Sequence, residues 1–173
     1  MALYSFEGKT PVVADNSYLH PRATVIGSVA IGSRCFIGPG AVLRGDLGRI
    51  EVGDGTNIQD NCVIHADRKV IIGQNIIIGH GAIIHDVLLK QGVFVGMGAI
   101  LMNGVVAEED VIIGAGSVVK EHFKIPPQKI VVGNPARIVK EMGEEGKKKV
   151  EGGLKCYQEL TERYIKGLRP IKI

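Results

Sequence analysis

The stretch Ile76-Ile77-Ile78-Gly79-His80-Gly81-Ala82-Ile83-Ile84-His85 decides the fold. Ile78 and Ile84 stand six residues apart, and each closes a short β-branched run. Working outward, the spacing recurs at Leu19, Val25, Ile31, Ile37 and Leu43, and after short insertions at Val52, Ile58, Ile64 and Ile72. Beyond the stretch a third run follows at Leu89, Val95, Leu101, Ala107, Ile113, Val119, Ile125 and Val131. A Gly often comes one place later, as in Ile37-Gly38, Val52-Gly53, Ile78-Gly79 and Ile113-Gly114, where a sharp corner with an unusual backbone conformation would use it. An aliphatic residue every sixth position is the period of a hexapeptide parallel β-helix, in which three hexads complete one triangular coil.

Composition agrees with a single domain of stacked aliphatics. Aromatic residues make up 5% of the 173 and Trp is absent, so large rings cannot fill the core. Runs such as Val70-Ile71-Ile72 favour strands over helices. No apolar stretch approaches the ~18 residues of a membrane span, and Met1 to Glu7 lacks the basic and long apolar regions of a signal peptide, so a cytoplasmic protein is expected. Cys35, Cys62 and Cys156 are too few and too scattered for a disulfide framework. A net charge of +3 does not argue for nucleic acid, because Lys147, Lys148 and Lys149 lie beside Glu141, Glu144, Glu145 and Glu151 on a solvated polar segment.

The repeat ends near Val131, and Pro126-Pro127 and Gly133-Asn134-Pro135 stop further coils. The chain therefore divides into a β-helix domain over 1–135 and a helical tail over 136–173. Gly143, Gly146, Gly152 and Gly153 interrupt that tail, so the better helix runs from Leu154 to Leu168. Its stripe of Leu154, Tyr157, Thr161, Tyr164 and Leu168 packs on a flat side of the coil.

The phase of the repeat locates the polar residues. Arg44, His65 and His85 each take the second place of a hexad on one side of the triangle, one coil apart, and form a column at about the ~4.8 Å strand spacing. Asp60 and His80 take the third place on another side and form a second column. Two imidazoles one coil apart can both reach a metal at bonds of about 2.1 Å. His80, roughly 10 Å or more away along the extended chain, reaches such an ion only from a neighbouring subunit. A ring of three copies with three intersubunit sites would use all three histidines, and would set Arg44 beside the neighbour's Asp60. His20 and His122 lie in neither column and read as surface or corner residues.

The ordered set Arg44-Gly45-Asp46, Asn57-Ile58-Gln59-Asp60, His65, Gly79-His80-Gly81-Ala82, His85, Gly96-Met97-Gly98-Ala99 and Gly133-Asn134-Pro135-Ala136 resembles the γ-class carbonic anhydrase family of left-handed β-helix proteins, over nearly the whole chain. The resemblance implies the left hand of the coil and a homotrimer. It also implies a metal at each interface, with His65, His80 and His85 as ligands. Three imidazoles and an open fourth position make a catalytic zinc site, with iron(II) or cobalt(II) as substitutes. The activity implied is attack of zinc-bound hydroxide on carbon dioxide to give bicarbonate. Gln59 matches a residue that orients the hydroxide, Arg44 and Asp46 line the site and interface, and Asn57 and Asp60 support them. Tyr157, with Tyr164, either packs against the coil or reaches the metal cleft as a tail Tyr does in relatives.

The chain also departs from the family pattern. Leu47 follows Asp46 where well-known active members carry Glu, and 14 residues between His65 and His80 leave no long acidic loop for proton export. Asp86 replaces a usual Gly and either orients an imidazole or is solvated, the second being the favoured reading. Two other classes stand beside the main one. One is a hexapeptide acyltransferase or thioesterase acting on acyl-CoA, with one His as general base; the other is a non-catalytic, metal-stabilised trimeric accessory protein.

Overall fold

The computed structural model describes residues 2–171. Twenty short strands precede one helix, and all but one of the strand pairings are parallel. The coil has three faces. One stacks Tyr18–Leu19, Phe36–Ile37, Asn57–Ile58, Ile77–Ile78, Phe94–Val95 and Ile112–Ile113. The second stacks Val63–His65, Ile83–His85, Ile100–Leu101 and Val118–Val119 on the first residues of the long strand Val42–Val52. The third stacks Lys69–Ile72, Leu88–Leu89, Val106–Ala107 and Lys124–Ile125 on the last residues of that strand, which bends round a corner.

Every first-position aliphatic from Leu19 to Val131 lies in one continuous core along the coil axis. Each large side chain so buried contributes about 1.5–3 kcal/mol relative to exposure, offset by the entropy of ordering the chain. Repeated over many coils, this term fixes the register, because a slip of one residue would turn the whole aliphatic row outward.

Two features differ from the sequence expectations. The glycine directly after each aliphatic residue does not hold the unusual backbone conformation. At Gly79 the reason for glycine is room, since a Cβ there would stand 2.7 Å from the Met97 backbone nitrogen in the next coil. The left-handed conformation falls two places later, at Gly81, with φ of 69°.

The second difference lies after the repeat. Ala136–Glu141 is a strand that doubles back antiparallel on Lys129–Gly133, so the tail does not begin as a helix. Helix α1 then runs unbroken from Glu144 to Gly167, through Gly146, Gly152 and Gly153, three of the four glycines expected to interrupt it; Gly143 precedes its first turn. Tertiary packing overrides their low propensity: Gly153 lies against Ile77, where a Cβ would meet Cδ1 at 3.1 Å. The buried side of α1 carries Val150 and Thr161, with Leu154, Tyr157 and Tyr164 half-buried, while Leu168 lies outside it and is exposed. This side covers the first face, where Tyr18, Phe36, Tyr157 and Tyr164 form an aromatic cluster with centroids 5.0–5.4 Å apart. No helix among the described residues is long and apolar enough to cross a membrane.

Candidate metal centre

The column read from the hexad phase is present in the backbone: Arg44 pairs in register with His65, and His65 with His85. Their side chains leave the coil at the corner that ends the second face. The imidazole centroids of His65 and His85 are 4.8 Å apart, and Nδ1 of His65 is 2.9 Å from Nε2 of His85. The insertion after Arg44 brings Asp46 to the same corner, where one oxygen takes Arg44 Nη1 at 2.6 Å and the other faces His65 Nε2 at 3.0 Å.

Burial works to raise the Asp46 pKa, but hydrogen bonds from Arg44, His65 and the Leu47 amide prevail and hold it at about 2. The carboxylate is therefore ionised at neutral pH and can only accept, so His65 Nε2 carries the hydrogen. His65 Nδ1 is the nitrogen that faces His85 Nε2. On the far side of His85, Nδ1 is buried without a hydrogen-bond partner.

Asp67 joins this corner and was not among the residues singled out by sequence. Its Oδ1 lies 3.6 Å from His65 Nδ1 and 3.7 Å from His85 Nε2. The three side chains place one donor atom each within 4.8 Å of one another. A tetrahedral ion with bonds of about 2.1 Å has ligand–ligand edges of about 3.4 Å, so the donor set suits a divalent metal. The signal available in the sequence was the spacing, for a residue two places after His65 in extended chain returns to the same side.

His80 stands at another corner, as its phase required. Its Nδ1 is 3.4 Å from Asp60 Oδ2, and 43% of its side chain is exposed. Gln59 sits beneath it, almost fully buried, with Oε1 accepting from the His80 amide and Nε2 donating to Asn57 Oδ1. Asn57 is buried too, and its Nδ2 has no partner. Within one chain Gln59 and Asn57 therefore belong with His80, not with His65 and His85.

The remaining candidates fall elsewhere. Arg44 is engaged by Asp46 of its own chain. Tyr157 lies against Phe36 under α1, and its phenol pKa is raised by burial and by the charge of Asp60. Within one chain it stands apart from the His65–His85 corner. Asp86 is not solvated: only 12% of its side chain is exposed, and Oδ1 accepts from the amides of Arg68 and Lys69. With φ of 45° it holds the left-handed backbone conformation that glycine adopts most readily. Cys35 and Cys62 are buried beneath the corners, and Cys156 is exposed on α1.

Coil, repeat and covering helix together define a hexapeptide-repeat β-helix protein. A family model described as bacterial transferase hexapeptide (six repeats) matches residues 10–45. The carnitine operon protein CaiE of Proteus sp. (strain LE138) is 40% identical over 170 residues, spanning 97% of this chain and 86% of CaiE. The chain belongs to this CaiE-containing family of hexapeptide-repeat proteins, whose coil is the left-handed β-helix.

Two crystal structures share the whole architecture. A hexapeptide transferase family protein from Anaplasma phagocytophilum is 37% identical with a TM-score of 0.92, covering 94% of this chain and 98% of its own. A Bacillus cereus protein, described provisionally as an acetyltransferase, is 32% identical with a TM-score of 0.93, covering 94% and 96%.

Proposed function

We propose that this chain is a γ-class carbonic anhydrase-like metalloenzyme. In this reading it forms a homotrimer in which His65 and His85 of one protomer and His80 of the next hold a divalent ion, zinc first. The observation that carries the reading is the 2.9 Å approach of two imidazole nitrogens at one corner. Two imidazole nitrogens at that distance share either one proton or one metal, and the neighbouring carboxylates favour the cation. Zinc held by these histidines would supply Lewis-acid activation of water near about pH 7, the chemistry that hydration of carbon dioxide requires.

The chain's own residues have defined tasks in that reading. Asp46 accepts a hydrogen bond from His65 Nε2–H and fixes the tautomer and tilt of the ring, and Arg44 keeps Asp46 ionised. Gln59 ties the His80 backbone to Asn57, so the third imidazole is presented from a rigid corner. Val63, Ile83 and Ile100 stack in register beside the histidine column and are 36–45% exposed. That strip gives a second copy an apolar surface against which to dock, and it keeps water from the carbon dioxide side.

A second reading rests on the relatives, whose names speak for acyl-group transfer more than for carbon dioxide hydration. His80 has the elements of a general base, being exposed and 3.4 Å from the carboxylate that would orient it. It would accept the proton of a nucleophile attacking an acyl thioester carbonyl.

One pair of assays separates the readings. Metal-loaded protein is tested for stopped-flow carbon dioxide hydration, and chelated protein for thiol release from acetyl-CoA with and without an amine or sugar acceptor. Hydration that chelator and His85→Ala both abolish supports the first reading, and no hydration above buffer overturns it. Thiol release that survives chelator and is lost in His80→Ala supports the second.

A further inference from the structure

We propose that Asp67 is a metal ligand, so that a single protomer captures a divalent ion through His65, His85 and Asp67 before any neighbour contributes His80; this rests on the reading of the corner as a metal centre. Three observations carry it. The Asp67 Oδ1 faces both imidazole nitrogens at 3.6 and 3.7 Å, too far to be hydrogen-bonded to either. With the 2.9 Å between the nitrogens, these edges bracket the roughly 3.4 Å of a tetrahedral face. The other carboxylate at the corner, Asp46, is already engaged by Arg44, the Leu47 amide and His65 Nε2, whereas Asp67 makes no hydrogen bond among the described residues and stands half exposed.

The chemistry follows from the donor set. Two imidazoles and one carboxylate on one face bind zinc, cobalt(II) or iron(II) and leave the opposite positions open. Asp67 then acts as a loading ligand. It neutralises one positive charge of the incoming ion, and it is exposed enough to swing aside when the neighbour's imidazole arrives. Metal would therefore enter each protomer from solvent, and trimer assembly would follow loading.

Cobalt(II) titration followed by visible absorption tests this on purified wild type, His80→Ala, and His80→Ala combined with Asp67→Asn. The expected result is one cobalt per chain in His80→Ala, and affinity at least about 100-fold weaker once Asp67→Asn is added, a loss at the upper end of that seen for outer-shell partners. Circular dichroism and an Asp67→Glu variant, which keeps the oxygen donor and should retain binding within about ten-fold, guard against a folding artefact. Equal affinity with and without Asp67→Asn, or no cobalt in His80→Ala while the wild type binds it, overturns the role of Asp67 alone. A wild type that binds no cobalt overturns the metal centre with it.

Discussion

Two corners of the same coils carry histidines, and they are built in opposite ways. At the His65–His85 corner the side chains converge: two rings touch, two carboxylates face them, and one ring nitrogen is buried without a partner. At the His80 corner the polar groups beneath the ring are tied down by Gln59, Asn57 and the backbone, while the imidazole itself extends toward solvent. In the proposed reading the first corner is a set of donors for a cation, and the second is an arm presenting one imidazole outward. A coil repeated without variation could not do both. The difference comes from what the insertions after Arg44 and His65 add, namely Asp46 and Asp67.

Breaking the convergent corner has the largest expected effect. His85→Ala leaves one imidazole and should remove all metal-dependent turnover, read as loss of bound zinc by elemental analysis and of any metal-dependent rate. Ile64→Ala strikes the core directly behind the same corner, where the side chain is fully buried. It should cost about 2–5 kcal/mol, measured by chemical denaturation. Gln59→Ala loosens the other corner, leaving the His80 amide and Asn57 Oδ1 without their bonds. That loss should be about 1–3 kcal/mol, with metal affinity falling only to the extent that His80 takes part. A Gln59→Ala protein as stable as wild type would show that the arm is not rigid.

The smallest effect concerns the thiol under the His80 corner. Burial pushes the Cys62 thiol, like that of Cys35, up to about 11, although nearby backbone hydrogen bonds act the other way. At pH 8 the folded protein should give one rapidly reacting thiol, Cys156, with a disulfide reagent, and three after denaturation. The unfolded thiols ionise near 9.0 and the folded ones near 11, so this contribution to stability is complete below pH 9 and lost as pH rises toward 11. A second fast thiol in the native state would mean that the coil opens at that corner.

Much of this was legible in the sequence because a repeat converts spacing into position. Ile58 and Ile78, or His65 and His85, stand on one face since each coil adds one strand rise, and no long-range inference is needed. The departures arise where that rule stops. Asp67 sits in an insertion, so its hexad phase is undefined, and only its two-residue distance from His65 pointed to the site. The strand Ala136–Glu141 follows the last hexad, where pairing is decided by an open sheet edge and not by period. Asp86 read as solvated because its role lies in backbone conformation and in bonds to amides of the preceding coil. The glycines of α1 argued for interruption; the coil beneath Gly153 supplies a reason for its small size, whereas Gly152 faces open space.

That reversed strand also bears on how the molecule avoids growing. A solenoid of identical parallel coils offers its final rung as a template for another copy, the geometry by which β-rich chains polymerise end to end. By laying Ala136–Glu141 antiparallel across Lys129–Gly133, this chain uses the hydrogen-bonding edge of its last rung on that face for itself. The new edge runs in the opposite direction and carries Arg137, Lys140 and Glu141 beside Ile138 and Val139, so a parallel coil from another molecule does not find the strand polarity it would need. End-to-end pairing is thereby discouraged on one of the three faces, while Val118–Val119 and Lys124–Ile125 remain the last strands of the other two.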